Sequence, residues 1–424
     1  MTNSLLPYLI IDADQHSTPP PDAYERYIDP KQREKAVRDV EGPDGKTRTL
    51  YAGRPMRMPP KNFQVTFNDD SLADIGVKGA GNEGEGSGRD IQNVIPGSLL
   101  NRLNPLRSLD TDGRADFVKR YRALQPLLDN PADRASVMDE QRIQASINFA
   151  GPLGLEFEFE HDLEGLYANL RAINRYLATE WKFNYQDRIF TPPYISLASA
   201  ELALAELEAV LADEVPRVIQ ITSGPAIHRS PFRPELDPFW SRVNEAKIQV
   251  STHLANVTFY GRLGEEWDEG ECMLGDMDAF QWAFYYGDRP AMEMVGAAIL
   301  QGFFARYPNI RLLMAEQGTV WVPYAVRKMD HAFLMGRQAT WGKLEERPSE
   351  TFRKRCLVAP FPEENVGRVV EETSIEPLVF GSDFPHGEGL AEPSDYLPQT
   401  KDLSDADTHA LMRGNMGRFL GLEV

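Results

Sequence analysis

Short apolar runs rich in β-branched residues recur along the chain at 9–13, 143–149, 188–197, 217–221, 248–253, 310–315, 355–358 and 378–381. Runs this short, bounded by polar or turn-forming residues, predict buried strands. Between them lie longer segments whose apolar residues return every three or four positions: 163–183, 200–212, 238–246, 278–307, 320–335 and 363–372, with a last one at 405–420. Strand and helix alternating at this spacing predict an α/β fold with a parallel sheet. Eight such units predict a (β/α)8 TIM barrel, and a doubly wound open sheet is the alternative. Residues 19–105 break the alternation, with an Arg/Met/Pro-rich piece at 54–60 and a glycine-rich piece at 76–88. They predict a long insertion after the first strand, within a single domain spanning residues 1–424. An insertion at that place can form a lid or a subunit contact, because barrel sites lie at the carboxyl ends of the strands. The glycine-rich piece follows no strand and carries neither GK[ST] nor GxGxxG, so it reads as a surface loop and not a phosphate cradle.

The polar residues that end these runs change the picture from fold to chemistry. The first run leads into Asp12, Ala13, Asp14, Gln15 and His16, and the last into Asp383, Phe384, Pro385 and His386. A closed barrel makes its first and last strands neighbours, which brings the two clusters together. His253 ends the fifth run, Glu316 follows the sixth, and His228 comes a few residues after the fourth. His161 precedes a helical segment, and His331 and His409 lie within helical segments, so these three read as surface or packing residues. Asp14 and His16 are two apart and share a face of an extended strand. Asp12 has the same facing, and reads as a partner behind the ligands or as a strand-end cap. Asp14, His16, His253, Glu316, Asp383 and His386 therefore surround one opening. Imidazoles and carboxylates without a thiolate suit Zn, Mn or Fe, as one or two ions. For Glu316 the structural alternative is a salt bridge to a residue such as Arg327. His228 and Arg229 form a candidate binding pair for a substrate carboxylate, with an ordinary surface loop as the alternative. Trp321 is a candidate pocket-lining residue. The aromatic stretch at 280–286 reads as packing or a subunit contact before a substrate wall.

Composition narrows the partners. The 424 residues are 42% hydrophobic, enough for a large core, and carry a formal charge of −19 spread along the chain. An acidic surface repels phosphate backbones and anionic lipid, which argues against nucleic acid and membrane partners and for a small-molecule substrate. Two cysteines, Cys272 and Cys356, without a CxxC, exclude a disulfide scaffold and a cysteine-rich zinc site. The start shows no signal-peptide pattern, and no run approaches the ~20 apolar residues of a membrane span. A cytoplasmic protein is expected.

The residues from Ile10 to His16, and those from Phe380 to His386, resemble the amidohydrolase-related family, in the branch of aminocarboxymuconate-semialdehyde decarboxylase. Val250, Ser251, Thr252 and His253 resemble that family's strand-five ligand, Arg311 through Glu316 its strand-six end, and Ala359 through Glu364 its stretch after strand seven. Two positions depart from the pattern. Asp14 stands where the family often has the first histidine of His-x-His, and Glu316 where the decarboxylase branch has an acid/base histidine. The resemblance implies a metal-dependent hydrolase or non-oxidative decarboxylase of a small organic acid, amide or ester, working through a metal-activated water. Asp14, His16, His253 and Asp383 would hold the metal. Asp383 would take the water proton, with Glu316 or His386 as further acid/base groups, and a homo-oligomer is implied. The surplus of ligands keeps a second class open: a dinuclear iron or manganese/iron oxygenase, needing a reductase partner or related subunit. A non-catalytic barrel is the third class. No lysine lies in 217–221, so a bridging lysine carbamate is not available there.

Overall fold

The computed structural model describes residues 6–20, 22–41, 47–56, 124–151, 155–254, 263–269, 279–285, 288–336, 344–386 and 389–424. In chain order the strands are β1 (Ile10–His16), β2 (Arg38–Glu41), β3 (Thr47–Tyr51), β4 (Arg54–Pro55), β5 (Ile143–Phe149), β6 (Asn184–Tyr185), β7 (Ile189–Phe190), β8 (Val218–Ile221), β9 (Gln249–His253), β10 (Leu312–Ala315) and β11 (Cys356–Val358). β1 pairs parallel with β5 and β5 with β7, while β8, β9, β10 and β11 form a second parallel run. Parallel bridges join the two: Tyr194 with Gln220, Val358 with Leu378, and Gln15 with Phe384. The ring therefore closes through β1, β5, 189–194, β8, β9, β10, β11 and 378–384. This is the expected parallel α/β barrel, with its eighth segment held by bridges and not by a regular strand.

The ring closes around its own side chains. Ile11, Ile147, Phe190, Val218, Leu313, Leu357 and Val379, one from each of seven ring segments, meet in a single buried cluster. Met416, Phe419 and Leu420 of the helix Asn415–Leu420 join it from the amino-terminal end. Burying an aliphatic or aromatic side chain of this size contributes roughly 1.5–3 kcal/mol. A filled interior leaves the carboxyl-terminal rim as the place for a site.

Helices coat the outside, and side-chain caps mark where many of them begin. Asn130 accepts from Asp133 N (3.0 Å), Asp162 from Gly165 N (2.9 Å) and Asn365 from Arg368 N (3.0 Å). The helix Pro131–Glu140, just before β5, was not among the expected segments, although Asn130 and Pro131 are a sequence-level start signal. The expected segment 278–307 is divided into Ala279–Tyr285, Asp288–Leu300 and Phe303–Arg306. Gly302, with φ of 69°, breaks the last two apart. Leu163–Tyr176 ends in a wide turn, Leu177–Trp181. No helix among the described residues is long and apolar enough to cross a membrane.

Of the stretch 19–105, the described part holds the helix Ala23–Tyr27, the turn Pro30–Lys35 and the antiparallel sheet β2–β3–β4; residues 57–105, the glycine-rich piece included, lie outside the described residues. This part packs on the start of helix Leu163–Tyr176. Lys35 pairs with Asp162 (3.2 Å) and Glu164 (3.0 Å), Val37 N donates to Asn169 Oδ1 (2.9 Å), and the Tyr51 hydroxyl donates to Asp162. That helix start follows the carboxyl end of β5, so the small sheet sits toward the rim.

Candidate metal centre

Local backbone geometry aims the rim side chains. Along β1 the pairing with β5 shifts register between Asp12 and Gln15. Strict alternation would send Asp12, Asp14 and His16 to one place, whereas here Asp12 is set apart from Asp14 and His16. Asp12 instead ties β1 to the last ring segment. It accepts from Ser382 N (2.9 Å), Ser382 Oγ (2.6 Å), Asp14 N (3.1 Å) and Gln15 Nε2 (3.0 Å). Asp383 N donates to Asp14 O (2.9 Å), completing the seam. Glu316 and Asp383 each follow a ring strand and adopt left-handed φ, 49° and 55°. That conformation is uncommon for a residue with a side chain and here turns a carboxylate out of the strand direction.

Asp14, His16, His253 and Glu316 present ligand-type atoms that all lie within 4.8 Å of one another, and His16, Asp383 and His386 form a second such group. His16 Nε2 is 3.1 Å from both Asp14 Oδ1 and Asp383 Oδ1. His253 Nε2 is 3.4 Å from Asp14 Oδ1 and 3.3 Å from Glu316 Oε2. His386 Nδ1 is 2.8 Å from Asp383 Oδ1. Asp14 Oδ1, His16 Nε2, His253 Nε2 and Asp383 Oδ1 are buried, and although they lie at ion-pair distance from one another none makes a well-aligned hydrogen bond. Buried polar atoms are ordinarily satisfied, so four that converge without such bonds fit a bound cation. His253 Nδ1 lies 3.1 Å from the Leu254 carbonyl oxygen. A proton held there leaves the Nε2 lone pair facing the cluster, the tautomer a metal ligand needs. The donor set is imidazole and carboxylate, which suits a divalent transition metal.

The electrostatics agree. Burial alone would raise the Asp14 carboxyl, but His253 and His16 hold it well below its ordinary range. Against the same burial penalty, His386 and His16 hold Asp383 down. Burial works to lower His16, and Asp14 and Asp383 outweigh it and raise the imidazole. Asp12, farther into the seam, is pushed by burial up to about 7 despite its four donors.

The structure brings together Asp14, His16, His253, Glu316, Asp383 and His386. Arg327 pairs with Glu372 (3.1 Å), while Glu316 faces His253. His228 and Arg229 are exposed in a tight turn in which Ala226 and Arg229 exchange backbone hydrogen bonds of 3.0 and 2.9 Å. Trp321 is buried, and its Nε1 donates to the carbonyls of Gln317 (3.1 Å) and Gly318 (3.0 Å). It braces the loop behind Glu316. Glu364 braces that loop from the other side, accepting from Thr319 N (2.9 Å). Of the aromatic stretch 280–286, Phe284 is exposed and Tyr285 is buried with its hydroxyl on Glu269 (3.0 Å); Tyr286 lies outside the described residues. Glu364 and Ser382 were not singled out from sequence, since a bracing acid or hydroxyl has no spacing of its own.

Comparison with known proteins bears on this geometry. A family model described as amidohydrolase matches residues 111–422. No curated protein matches the chain. Among solved structures, an amidohydrolase from Mycobacterium avium subsp. paratuberculosis is 25% identical with a TM-score of 0.78, over 98% of this chain and 100% of its own. A 2,6-dihydroxybenzoate decarboxylase from Rhizobium is 18% identical with a TM-score of 0.55, over 71% of this chain and 92% of its own. A 5-carboxyvanillate decarboxylase from Novosphingobium aromaticivorans, solved with bound manganese, is 16% identical with a TM-score of 0.54, over 76% and 92%.

Proposed function

From the premise that the chain belongs to the amidohydrolase family, we propose that it is a metal-dependent hydrolase or non-oxidative decarboxylase acting on a small organic acid, amide or ester. The observation that carries this reading is the convergence at the barrel rim of four buried donor atoms without well-aligned hydrogen bonds. Asp14, His16, His253 and Glu316 would hold the ion. Such an ion supplies a Lewis acid that polarises a substrate oxygen and makes water acidic near neutral pH. The two ligand groups both draw on His16 Nε2. An imidazole nitrogen has one lone pair, so one ion per chain is the expected load. Manganese is the first metal to test, since a structure with this fold holds it.

The remaining pair handles protons. Asp383, kept ionised by its histidine neighbours, can accept a proton at Oδ1. His386 contacts that same oxygen at 2.8 Å and its side chain is 27% exposed, against 12% for Asp383. It can pass the proton between Asp383 and solvent, the arrangement general acid–base catalysis requires. None of the solved proteins compared above is named as an oxygenase, and no observation favours that second reading.

The test is elemental analysis of the purified chain after manganese or zinc loading, followed by assay of carbon dioxide release and of hydrolytic products with small organic acids, amides and esters. One ion per chain, lost in His16→Ala and His253→Ala, supports the reading. Metal content indifferent to both substitutions would sink it.

A further inference from the structure

A second buried polar cluster lies at the rim, and the proposed reaction leaves it without a role. Glu156, in the short helix Leu155–Glu158 after β5, is 3% exposed, and neither of its carboxylate oxygens receives a well-aligned hydrogen bond. The hydroxyls of Ser196, Thr222 and Tyr194 are within its reach and offset its burial only in part. Gln220 Oε1 is buried and equally partnerless. It lies 2.8 Å from where a Cβ on Gly151 would stand, with Tyr194 Cβ 3.9 Å from the same point.

This cluster is continuous with the metal centre. Val218 points into the barrel, and alternation carries Gln220 and Thr222 to the same face nearer the rim. Gly151 is two residues beyond Phe149, whose ring lies 4.7 Å from that of His253. One wall thus runs from His253 past Phe149 to Gly151, Gln220 and Glu156. Its orphaned atoms are all acceptors. Burial pushes the Glu156 carboxyl up to about 7, and in either protonation state at least one oxygen still accepts. A second anionic group placed here would meet lone pairs, whereas an O–H or N–H would satisfy them.

We propose that Glu156 and Gln220 recognise a hydrogen-bond donor, a hydroxyl or amino group, on the end of the substrate remote from the metal centre. The inference rests on the proposed function and adds the polarity of the substrate's far end. A site built to pair with a donor discriminates strongly against an analogue lacking it.

The test uses the manganese-loaded full chain, titrated calorimetrically with the positional isomers of hydroxybenzoate and aminobenzoate and with their methoxy counterparts. In the wild type, at least one hydroxyl or amino compound should bind on the order of ten-fold tighter than its methoxy partner. Glu156→Leu should bring that ratio close to unity and Gln220→Leu should reduce it, with manganese content unchanged in both. Equal affinity within every pair, or a preference that survives both substitutions, overturns the inference and leaves the metal reading standing. A wild type that takes up no manganese, or takes it up and binds no acid of the panel, overturns both.

Discussion

Asp12→Asn tests whether the seam between β1 and the last ring segment holds the ligand set in place. The Asp12 carboxylate receives four hydrogen bonds, of 2.6, 2.9, 3.0 and 3.1 Å. The isosteric amide keeps one oxygen for Asp14 N and Ser382 N, but those two bonds lose their charge assistance, about 1 kcal/mol each. The new amide N–H can donate to Ser382 Oγ, which can still donate to Asp14 O as it does now at 3.2 Å. Gln15 must turn its amide, exchanging an unpartnered Oε1 for an unpartnered N–H. Arg134, fully buried with Nε and Nη1 unpartnered, also loses a neighbouring negative charge. These bonding losses sum to about 2–3 kcal/mol. Burial pushes the carboxyl up to about 7, however, so above that pH the neutral amide also escapes the burial cost of the charge, which opposes them. Urea unfolding of the metal-free protein should therefore show Asp12→Asn gaining on the wild type as pH rises from about 4 to about 7, because only the wild type must give up a proton that its folded state holds. Because Asp14 and Asp383 are positioned through the same seam, manganese affinity should fall ~10–100-fold, as it does when partners behind metal ligands are removed. A stability difference between variant and wild type that stays constant over that pH window, together with unchanged manganese affinity, would refute this account of the seam.

Three further outcomes follow from the same geometry. Asp383→Asn should lower turnover by at least ~100-fold with fold retained, read by steady-state assay and circular dichroism; full activity would remove Asp383 from the proton path. Gly318→Ala should destabilise by ~1–3 kcal/mol, because Gly318 has φ of 60° and a Cβ there would lie 2.7 Å from both Glu364 Oε1 and the Phe361 ring. Thermal unfolding should show the loss and manganese titration a weaker site through Glu316; unchanged values for both would contradict the bracing role. For pH, Asp14 and Asp383 raise the His16 imidazole above 6.5 against the burial penalty. That contribution to metal-free stability is full below pH 6.5 and is lost as pH rises through the raised value. Manganese must displace the same proton, so its apparent affinity should climb by up to ~ten-fold per pH unit through that window. Calorimetric titration from about pH 6 to about 9 checks this, and a flat profile would contradict it.

Much of the barrel was legible because buried parallel strands announce themselves as apolar runs. The expectation for 143–149 matches β5, and 249–253 and 312–315 fall within their expected runs. Acid and histidine at the ends of such runs made the six rim residues legible too. Other features are set by contacts that sequence spacing does not carry. The hydrogen bonds from Ser382 set Asp12 in the seam and not in the cluster, and the left-handed turn at Glu316 decides that its carboxylate faces His253. His228 and Arg229 follow a strand as expected, and their place in an exposed turn is set by the backbone bonds between Ala226 and Arg229, which no spacing marks. β2 and β4 are short and mostly solvent-facing, so no apolar pattern marks them. Glu156 looks like any acid in a polar stretch until packing buries it.

The ligand set also explains why the two ends of this chain matter to each other. Asp14 and His16 come from β1, Asp383 and His386 from the last ring segment and the turn beyond it, and backbone bonds join the two at Asp383 N to Asp14 O (2.9 Å) and His16 N to Phe384 O (2.8 Å). Closing the ring and assembling the ligands are thus one event. Without a cation, the closed ring holds Asp14, Glu316 and Asp383 against His16, His253 and His386, an arrangement that loses stability as the raised His16 imidazole gives up its proton. A cation that binds only the closed ring stabilises it by about 2.7 kcal/mol in all when present at about a hundred times its Kd. The barrel seam therefore links metal binding to folding, and the Asp12–Ser382 contacts join the backbone bonds in holding it.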